Sequence, residues 1–314
     1  VIRVYPFRID EEDVSLVEFI SDWMSGEEIA KKFGISRNSV WKRIKKLREL
    51  GFEIDSRKKL GYKIRRIPEF NPVSCFKILR KFSIFKTLYY YPETDSTNLR
   101  AKNFEPNTIV VAEKQTSGRG RLGRRWFSEK GGLYFSMVLQ PNISFDDIPK
   151  VTLTAGVSVA EALGKYSARI KWPNDVLIGG KKVCGILSEL SGELERFSII
   201  VGIGINVENQ IPEELEGIAI SLREIDKGVR RIDVFSRVVE KFADYYGLLV
   251  DGKWEKIRER WIDLSDTLGK DVEVKVGEVV YKGKAVDMDI DGGLVVESDG
   301  KRKKIFSGDC FYVS

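Results

Sequence analysis

Residues 115–126 of this 314-residue chain read Gln-Thr-Ser-Gly-Arg-Gly-Arg-Leu-Gly-Arg-Arg-Trp. Arg119, Arg121, Arg124 and Arg125 alternate with Gly118, Gly120 and Gly123, and the indole of Trp126 follows. Glycine lets a backbone bend and come close to a ligand. Guanidinium groups clamp carboxylate or phosphate oxygens through paired hydrogen bonds, and an aromatic face can stack on a purine. The segment therefore points to an anion-gripping loop for nucleotide or acyl-phosphate chemistry. Two plainer readings compete. Gly118, Gly120 and Gly123 fit the dinucleotide pattern G-x-G-x-x-G, but that fingerprint needs a strand before it and a helix directly after it. Residues 108–112 read as a strand, whereas 127–139 read as a turn and a second strand, so the match is accidental. The other reading is a solvated basic loop that binds nucleic acid without specificity.

The chain contains no histidine and only three cysteines, Cys75, Cys184 and Cys310. Ser-His-Asp and Cys-His catalysis, histidine general bases and His-ligated zinc are thereby excluded. The scattered cysteines make neither a disulfide framework nor a metal cluster, so no protein metal ligands are expected. Chemistry has to run on lysine, arginine, carboxylates, a bound metal and positioning. With 42% hydrophobic and 32% charged residues, the composition is that of an ordinary globular protein of two or three domains. No apolar run reaches the length of a membrane span and no signal-like segment opens the sequence, so a cytoplasmic protein with no membrane partner is expected.

Net charge is +6, unevenly placed: residues 31–66 hold fourteen Lys and Arg against Glu49, Glu53 and Asp55. That local excess exceeds the whole chain's, which leaves an acidic body behind a basic module. Within the module, residues 14–24 carry apolar side chains at helical spacing. Ser25 followed by Glu28 is a capping-box signature, and Gly34-Ile35 makes a turn. Ser36 caps a helix over 37–50 with Val40, Ile44 and Leu47 inside and Gly51 as its stop. Residues 52–54 and 62–64 alternate as strands around a basic turn. Three helices and a basic hairpin are the plan of a winged helix-turn-helix. On that plan Arg37, Asn38, Ser39, Trp41 and Lys42 face base edges, while Lys45, Arg57, Lys58 and Lys59 meet phosphates. A helical protein-interaction domain with a solvated basic face is the plainer alternative.

After a linker over 67–72 the pattern is mixed. Strands are expected over 86–91, 108–112, 133–139, 168–172, 183–189 and 197–207, with a helix capped by Ser96 and a long one over 151–163. Lys171-Trp-Pro-Asn-Asp175 stands where a strand ends, and Gly179-Gly180 reads as a hairpin turn. The glycines in Gly202-Ile-Gly-Ile-Asn206 permit close ligand approach. From Gly269 short alternating strands and the Asp291-Gly-Gly293 turn indicate a small β-barrel. The fold class is α+β. Expected boundaries are 1–67 for the winged helix, 68–268 for the central domain and 269–314 for the barrel.

Taken in order, Asp95-Ser-Thr-Asn98, Gln115, Gly118-Arg-Gly-Arg121 with Trp126, Lys171-Trp-Pro-Asn-Asp175, Lys182-x-x-Gly-Ile-Leu187 and Gly202-Ile-Gly-Ile-Asn206 resemble the biotin–protein ligases. The basic module in front resembles the bifunctional subclass that is also a biotin operon repressor. The resemblance covers essentially the whole chain, through Phe306-Ser-Gly-Asp-Cys310. It implies a class II synthetase-like ligase domain with an SH3-like C-terminal barrel. Activity would be ATP-dependent formation of biotinyl-5′-adenylate, then transfer of biotin to a lysine of a biotin carboxyl carrier protein. It implies Ser96, Thr97, Asn98, Gln115, Arg119, Gly120, Arg121 and Lys182 at biotin, and Arg121, Trp126, Asn174 and Asn206 at ATP or the adenylate. Arg119, Arg121 and Lys182 would carry the chemistry, because two anions must be neutralised to meet. Mg²⁺ would arrive with ATP rather than sit in a protein cage. Operator DNA and a homodimer are the further partners implied. Lys171 and Asp175 have either a direct role or a structural ion pair at the strand end, and Cys184 reads as a small core residue. Leu122 stands where the family often has a basic residue, and is read as loop packing; it leaves the roles of Arg124 and Arg125 open. Two alternatives remain. A lipoate–protein ligase shares the central fold but usually brings a histidine beside its glycine-rich motif. A biotin-sensing regulator without ligase activity would have no need of Arg119, Arg121 and Lys182 together.

Overall fold

The computed structural model describes residues 6–193 and 196–313. The first five positions of the expected 1–67 module and the last of the expected barrel lie outside them. The described chain opens with strand β1 (Phe7–Ile9), helices α1 (Glu11–Phe19), α2 (Gly26–Phe33) and α3 (Arg37–Glu49), and the hairpin β2 (Glu53–Arg57)–β3 (Gly61–Arg66). Ser25 and Glu28 cap α2 reciprocally, and Ser36 Oγ accepts from the backbone N–H of Ser39 at 3.1 Å. Val40, Ile44 and Leu47 are buried, as their spacing requires.

The first helix differs from the sequence expectation of 14–24. A reciprocal box between Asp10 and Asp13 starts it at Glu11, and it ends at Phe19. Met24 instead exchanges backbone hydrogen bonds with Tyr62 at 2.9 and 2.8 Å, which adds a short third strand to the wing. Gly61 makes that approach possible: its φ is +95° and a Cβ there would lie 2.0 Å from the Met24 carbonyl oxygen.

The central region runs α4 (Pro72–Leu79), β4 (Thr87–Tyr91), α5 (Thr97–Ala101), β5 (Thr108–Ala112), β6 (Leu133–Leu139), α6 (Ile148–Ala162), β7 (Arg169–Lys171), β8 (Asp175–Ile178), β9 (Lys181–Glu193), β10 (Arg196–Ile205), α7 (Leu222–Ile225), α8 (Arg231–Val250) and α9 (Trp254–Leu264). Its eight-stranded sheet has the order β1-β4-β5-β6-β10-β9-β8-β7, with β4 and β5 parallel and the other pairs antiparallel. β1, at the front of the chain, is thus an edge strand of the central sheet. The sequence gives no sign of it, because three residues are too few to show a period. The linker is tethered as well: Glu69 Oε1 accepts from the backbone N–H of Ile232 in the first turn of α8, at 3.2 Å.

Strand alternation assigns the two faces of this sheet. Leu133, Phe135, Met137 and Leu139 of β6 and Ile199, Val201, Ile203 and Ile205 of β10 join one large core, covered by α6, α8 and α9. The intervening residues face the other way. Val138 and Ile200 join a smaller cluster with Ala101 of α5, while Ser136, Gly202 and Gly204 leave open space for a site. The last strands, β11 (Asp271–Val276), β12 (Val279–Met288), β13 (Leu294–Ser298), β14 (Lys301–Ile305) and β15 (Asp309–Tyr312), form an antiparallel five-stranded sheet, as the small β domain requires. It is held to α9 by Trp254 Nε1, which donates to the Ile290 carbonyl at 2.6 Å, and by Arg258 Nε, which donates to that of Met288 at 2.6 Å. Among the described residues no helix is long and apolar enough to cross a membrane.

Helix α8 buries Val234, Phe235, Val238, Val239, Phe242 and Leu249. Gly247 lies within it, and a Cβ there would meet nothing within 4 Å. Gly247→Ala should therefore stabilise the protein by about 0.5–1 kcal/mol through lower unfolded-chain entropy, read as a higher denaturant midpoint at unchanged slope; a loss of stability would mean that α8 is packed differently.

Candidate active site

The arginine-rich segment forms a narrow ribbon on the open face of the sheet. Trp126 N donates to the Gly118 carbonyl at 2.9 Å and Gly120 N to that of Arg124 at 2.7 Å, so residues 118–120 run against 124–126. The ribbon turns at Arg121–Gly123. A Cβ on Gly118 would lie 2.4 Å from Ser128 Oγ and from the Trp126 carbonyl oxygen, so the start of the ribbon requires glycine. Leu122 corrects the sequence reading. It packs against nothing that shields it, being 74% exposed, and it adopts a left-handed φ of +53°, a conformation that is costly away from glycine.

Under the ribbon is a cavity of about 200 Å³. Its polar wall begins at the start of α5. Ser96 is the N-cap residue, but its side chain makes no capping bond. Gln115 Oε1 accepts from the backbone N–H of Thr97 at 2.7 Å and from its hydroxyl at 3.1 Å, and Gln115 Nε2 donates to Ser128 Oγ at 2.9 Å. One Gln115 amide hydrogen is left over for a ligand. Ser136 Oγ lies 2.7 Å from Thr97 Oγ1 and 2.6 Å from Asn98 Oδ1. Asn98 Nδ2 donates to the Leu187 carbonyl at 3.1 Å and to Glu189 Oε2 at 2.9 Å. Gly202 accommodates this arrangement: a Cβ there would stand 2.0 Å from Asn98 Oδ1.

The opposite half is built around Trp126. The register pairs Gly204 of β10 with Gly185 of β9, and the indole lies across this strip. A Cβ would come within 2.4 Å of Trp126 Nε1 at Gly204, and within 3.0 Å of its ring at Gly185. Trp126 Nε1 is buried without a hydrogen-bond partner among the described residues, an arrangement that costs about 1–3 kcal/mol. Asn174 closes the end: its Nδ2 donates to the Ile186 carbonyl at 2.7 Å, and its Oδ1 lies 3.4 Å from Arg121 Nη1.

Arg119, Arg121, Arg124 and Lys182 have acidic or carbonyl neighbours, whereas Arg125 and Lys171 rest on aromatic rings. Arg119 Nη1 is 3.4 Å from Glu189 Oε1. Lys182 Nζ is 2.6 Å from Asp175 Oδ1, although that oxygen is buried without a well-directed hydrogen bond. Lys182 Nζ also lies 5.3 Å from the centre of the Trp126 ring. Arg121 donates to the Gly308 carbonyl at 3.0 Å, and Arg124 pairs with Asp309, so the tip of the ribbon rests on the start of β15. Burial lowers the Arg121 pKa from its ordinary value, outweighing the opposing pull of Asp309 and Asp175. Arg125 stacks over Phe127 at 5.2 Å. Lys171 sits 4.5 Å from the ring centre of Tyr312 rather than pairing with Asp175. Desolvation pushes the Cys184 thiol well up, and that of Cys310, which lines the cavity, up to about 11. Neither can serve as a resting thiolate.

Of the candidates named from sequence, Ser96, Thr97, Asn98, Gln115, Arg119, Gly120, Arg121, Trp126, Asn174 and Lys182 therefore converge on one cavity. Asn206 stands just past β10; its Oδ1 accepts from Asn209 Nδ2 at 3.1 Å. Sequence reasoning missed Glu189, Ser128, Ser136 and Asp309. For Glu189 a signal existed, since Gly185, Leu187 and Glu189 alternate onto one face of β9.

The sequence matches the Biotin/lipoate A/B protein ligase family over residues 90–206, an HTH domain over 19–63 and the Biotin protein ligase C terminal domain over 267–313. It is 34% identical to the bifunctional ligase/repressor BirA of Bacillus spizizenii across 92% of this chain and 94% of that protein. The bifunctional ligase/repressor BirA of Escherichia coli is 29% identical across 92% of each. The chain belongs to the bifunctional biotin–protein ligase/repressor family. A biotin protein ligase from Aquifex aeolicus, solved in complex with biotin and ATP, superposes with a TM-score of 0.65 at 36% identity, covering 73% of this chain and 99% of that one.

The family's HTH segment contains the surface expected to read DNA. Arg37, Asn38, Trp41, Lys42 and Lys45 are exposed on α3, and Arg57, Lys58 and Lys59 at the tip of the wing, while Ser39 is half-buried beside its cap. Other cations of the same stretch are consumed by the fold: Arg43 and Lys46 reach the buried Asp13 at 2.9 and 2.5 Å, and Lys63 reaches Asp22 at 2.5 Å. Arg37, Lys42, Arg57, Lys58 and Lys59 form no ion pair with any described residue.

The glycine strip generates a test. Gly204→Ala should displace the Trp126 indole and raise the KM for ATP at least about tenfold, while a thermal melt shows the protein still folded; an unchanged KM would mean that the indole is not a nucleotide platform.

Proposed function

We propose that this chain is an ATP-dependent biotin–protein ligase that is also a DNA-binding repressor. The observation that carries the ligase half is the convergence of Arg119, Arg121 and Lys182 on one cavity with a polar end and an indole-floored end. Biotin fits the polar end, where Ser96, Thr97, Asn98 and Gln115 offer donors and acceptors. Gly120 lets the ribbon lie close over it. ATP fits the other end, with its base on Trp126 beside Asn174; Asn206, just past β10, does not line the cavity.

In the first half-reaction a biotin carboxylate oxygen attacks the α-phosphorus of ATP, and pyrophosphate leaves with the bonding electrons. Lys182 exchanges Asp175 for the biotin carboxylate, and Arg121, a desolvated cation, grips the phosphates. Their charges let two anions approach and stabilise the added charge of the transition state. In the second half-reaction a neutral lysine amine of the carrier attacks the acyl carbon, the acyl–phosphate bond breaks, and AMP departs. Positioning and charge suffice for both steps, so the absence of histidine is no obstacle.

Among the described residues no group of three or more acids, histidines or cysteines could cage a metal. Asp175, with its buried and poorly bonded oxygen, suits a Mg²⁺ that enters on the phosphates, where the ion would neutralise charge. The partners are a biotin carboxyl carrier protein, operator DNA read by α3 and the wing, and a second copy of the chain in a homodimer.

Intact-mass measurement of a biotin carrier domain after incubation with this protein, biotin and Mg-ATP should show one biotinyl group on one lysine. Lipoate as competitor should give no adduct, and Arg121→Ala or Lys182→Ala should abolish labelling. Labelling with lipoate instead, or none with either acid, would overturn the ligase reading. For the DNA half, duplexes selected from a random pool should bind more tightly when biotin and ATP are present. On mixed-sequence duplex, Arg57→Ala combined with Lys58→Ala should reduce the slope of log K against log salt by about two. Binding indifferent to biotin and ATP at every protein concentration would sink the repressor assignment.

A further inference from the structure

Glu189 has no part in the reaction described above, yet it touches two residues that line the cavity, Asn98 and Arg119, together with Lys102. It projects from β9 on the same face as Gly185 and Leu187, with its side chain 18% exposed. Oε2 accepts from Asn98 Nδ2 at 2.9 Å, and Oε1 accepts from Lys102 Nζ at 3.1 Å. Arg119 Nη1 approaches the same Oε1 at 3.4 Å. Burial alone would push this carboxyl up, but the bonds from Asn98 and Lys102 and the charge of Arg119 outweigh it and hold it below the usual carboxylate range. Glu189 is therefore an anion at neutral pH.

The three partners are not equivalent. Asn98 is locked, since its Oδ1 is engaged by Ser136 and its Nδ2 by both Glu189 and the Leu187 carbonyl. Lys102, the C-cap residue just past α5, is held at an ordinary hydrogen-bond distance. Arg119 alone is monodentate and long, whereas a carboxylate and a guanidinium of optimal geometry make two bonds near 2.8 Å. If Arg119 departs, Glu189 still keeps Lys102 and Asn98, so no buried charge is stranded. That is the condition under which an ion pair can be exchanged without the large penalty of leaving a partner unpaired.

We propose that Glu189 is a positioning residue that occupies Arg119 as a resident carboxylate and yields it to the carboxylate of the substrate. The inference rests on the ligase reading, in which Lys182 takes the biotin carboxylate and Arg119 lines the same cavity, and it adds that Arg119 meets that carboxylate as well. Glu189 holds the guanidinium over the cavity rather than in solvent, and it competes with the incoming anion for the same group. It thereby sets a ceiling on how tightly a carboxylate ligand is held before adenylation. Lys102 tunes that competition, because each unit of charge it gives Glu189 is charge that Arg119 need not supply.

The test compares two ligands on the full-length protein by calorimetry: biotin, and the alcohol with –CH₂OH in place of the carboxylate. Glu189→Gln removes the competing charge and keeps an acceptor for Asn98. It should tighten biotin about threefold, the scale of a partly exposed ion pair, and leave the alcohol unchanged. In an Arg119→Ala background the same substitution should change neither affinity, which isolates the pair. Lys102→Ala should act in the opposite sense, weakening biotin about twofold with no effect on the alcohol; it keeps the proposal testable if Glu189→Gln fails to fold. A merely structural Glu189 predicts weaker binding of both ligands in Glu189→Gln. That result, or an effect that persists without Arg119, would overturn the proposal. Failure of the unaltered protein to bind biotin would instead overturn the ligase reading itself.

Discussion

The register of β6, β10 and β9 is the constraint on which the rest of this molecule depends. Pairing places Ser136 opposite Gly202, Gly202 opposite Leu187, and Gly204 opposite Gly185. A shift by one residue would turn every side chain to the other face. The apolar residues that now meet α6 and α8 would then fill the cavity, and the glycines would face the core. Burial of Phe135, Val201, Ile203 and their neighbours under the helices thus fixes, at the same time, an opposite face bare enough for an indole and an asparagine to lie flat on it. Core energy and site geometry are two consequences of one alternation.

Charge is handled by a second rule. The cavity gathers several cations, and the chain supplies three of them with an acid: Glu189 for Arg119, Asp175 for Lys182, Asp309 for Arg124. Arg121, the most deeply placed, has among the described residues only a carbonyl and an amide oxygen within hydrogen-bond reach. Repulsion among the guanidinium groups is relieved in the folded protein without filling the space between them. The barrel contributes through Gly308 and Asp309, so the C-terminal domain completes the site rather than merely following it.

The same sorting of charges occurs in the N-terminal module. Its basic composition would suggest a uniformly positive surface, but Arg43, Lys46 and Lys63 are drawn into contacts with Asp13 and Asp22 that hold the module together. Among the described residues, Arg37 and Lys42 on α3 and Arg57, Lys58 and Lys59 at the wing tip are exposed and left without such a pair. Since β1 enters the central sheet, and Glu11 and Glu18 of α1 pair with Arg80 and Lys77, the module is joined to the ligase domain beyond the peptide linker, which Glu69 itself ties to the start of α8.

By itself the sequence determined the elements whose signals are local. The capping residues Ser25 and Ser36, the Gly179-Gly180 turn, strands β5 and β6 to the residue, and the glycine–arginine motif could all be read because each depends on near neighbours. The absent histidine likewise limited the chemistry before any fold was known. Only the tertiary structure decided which of the many cations are free, because pairs such as Arg43–Asp13 and Arg119–Glu189 join residues far apart in the chain. It also decided that three-residue β1 belongs to the central sheet, that Asp175 faces Lys182 rather than Lys171, and that Glu189 meets Asn98 and Arg119. Such facts are set by long-range packing and desolvation, which a pattern of residue types does not encode locally.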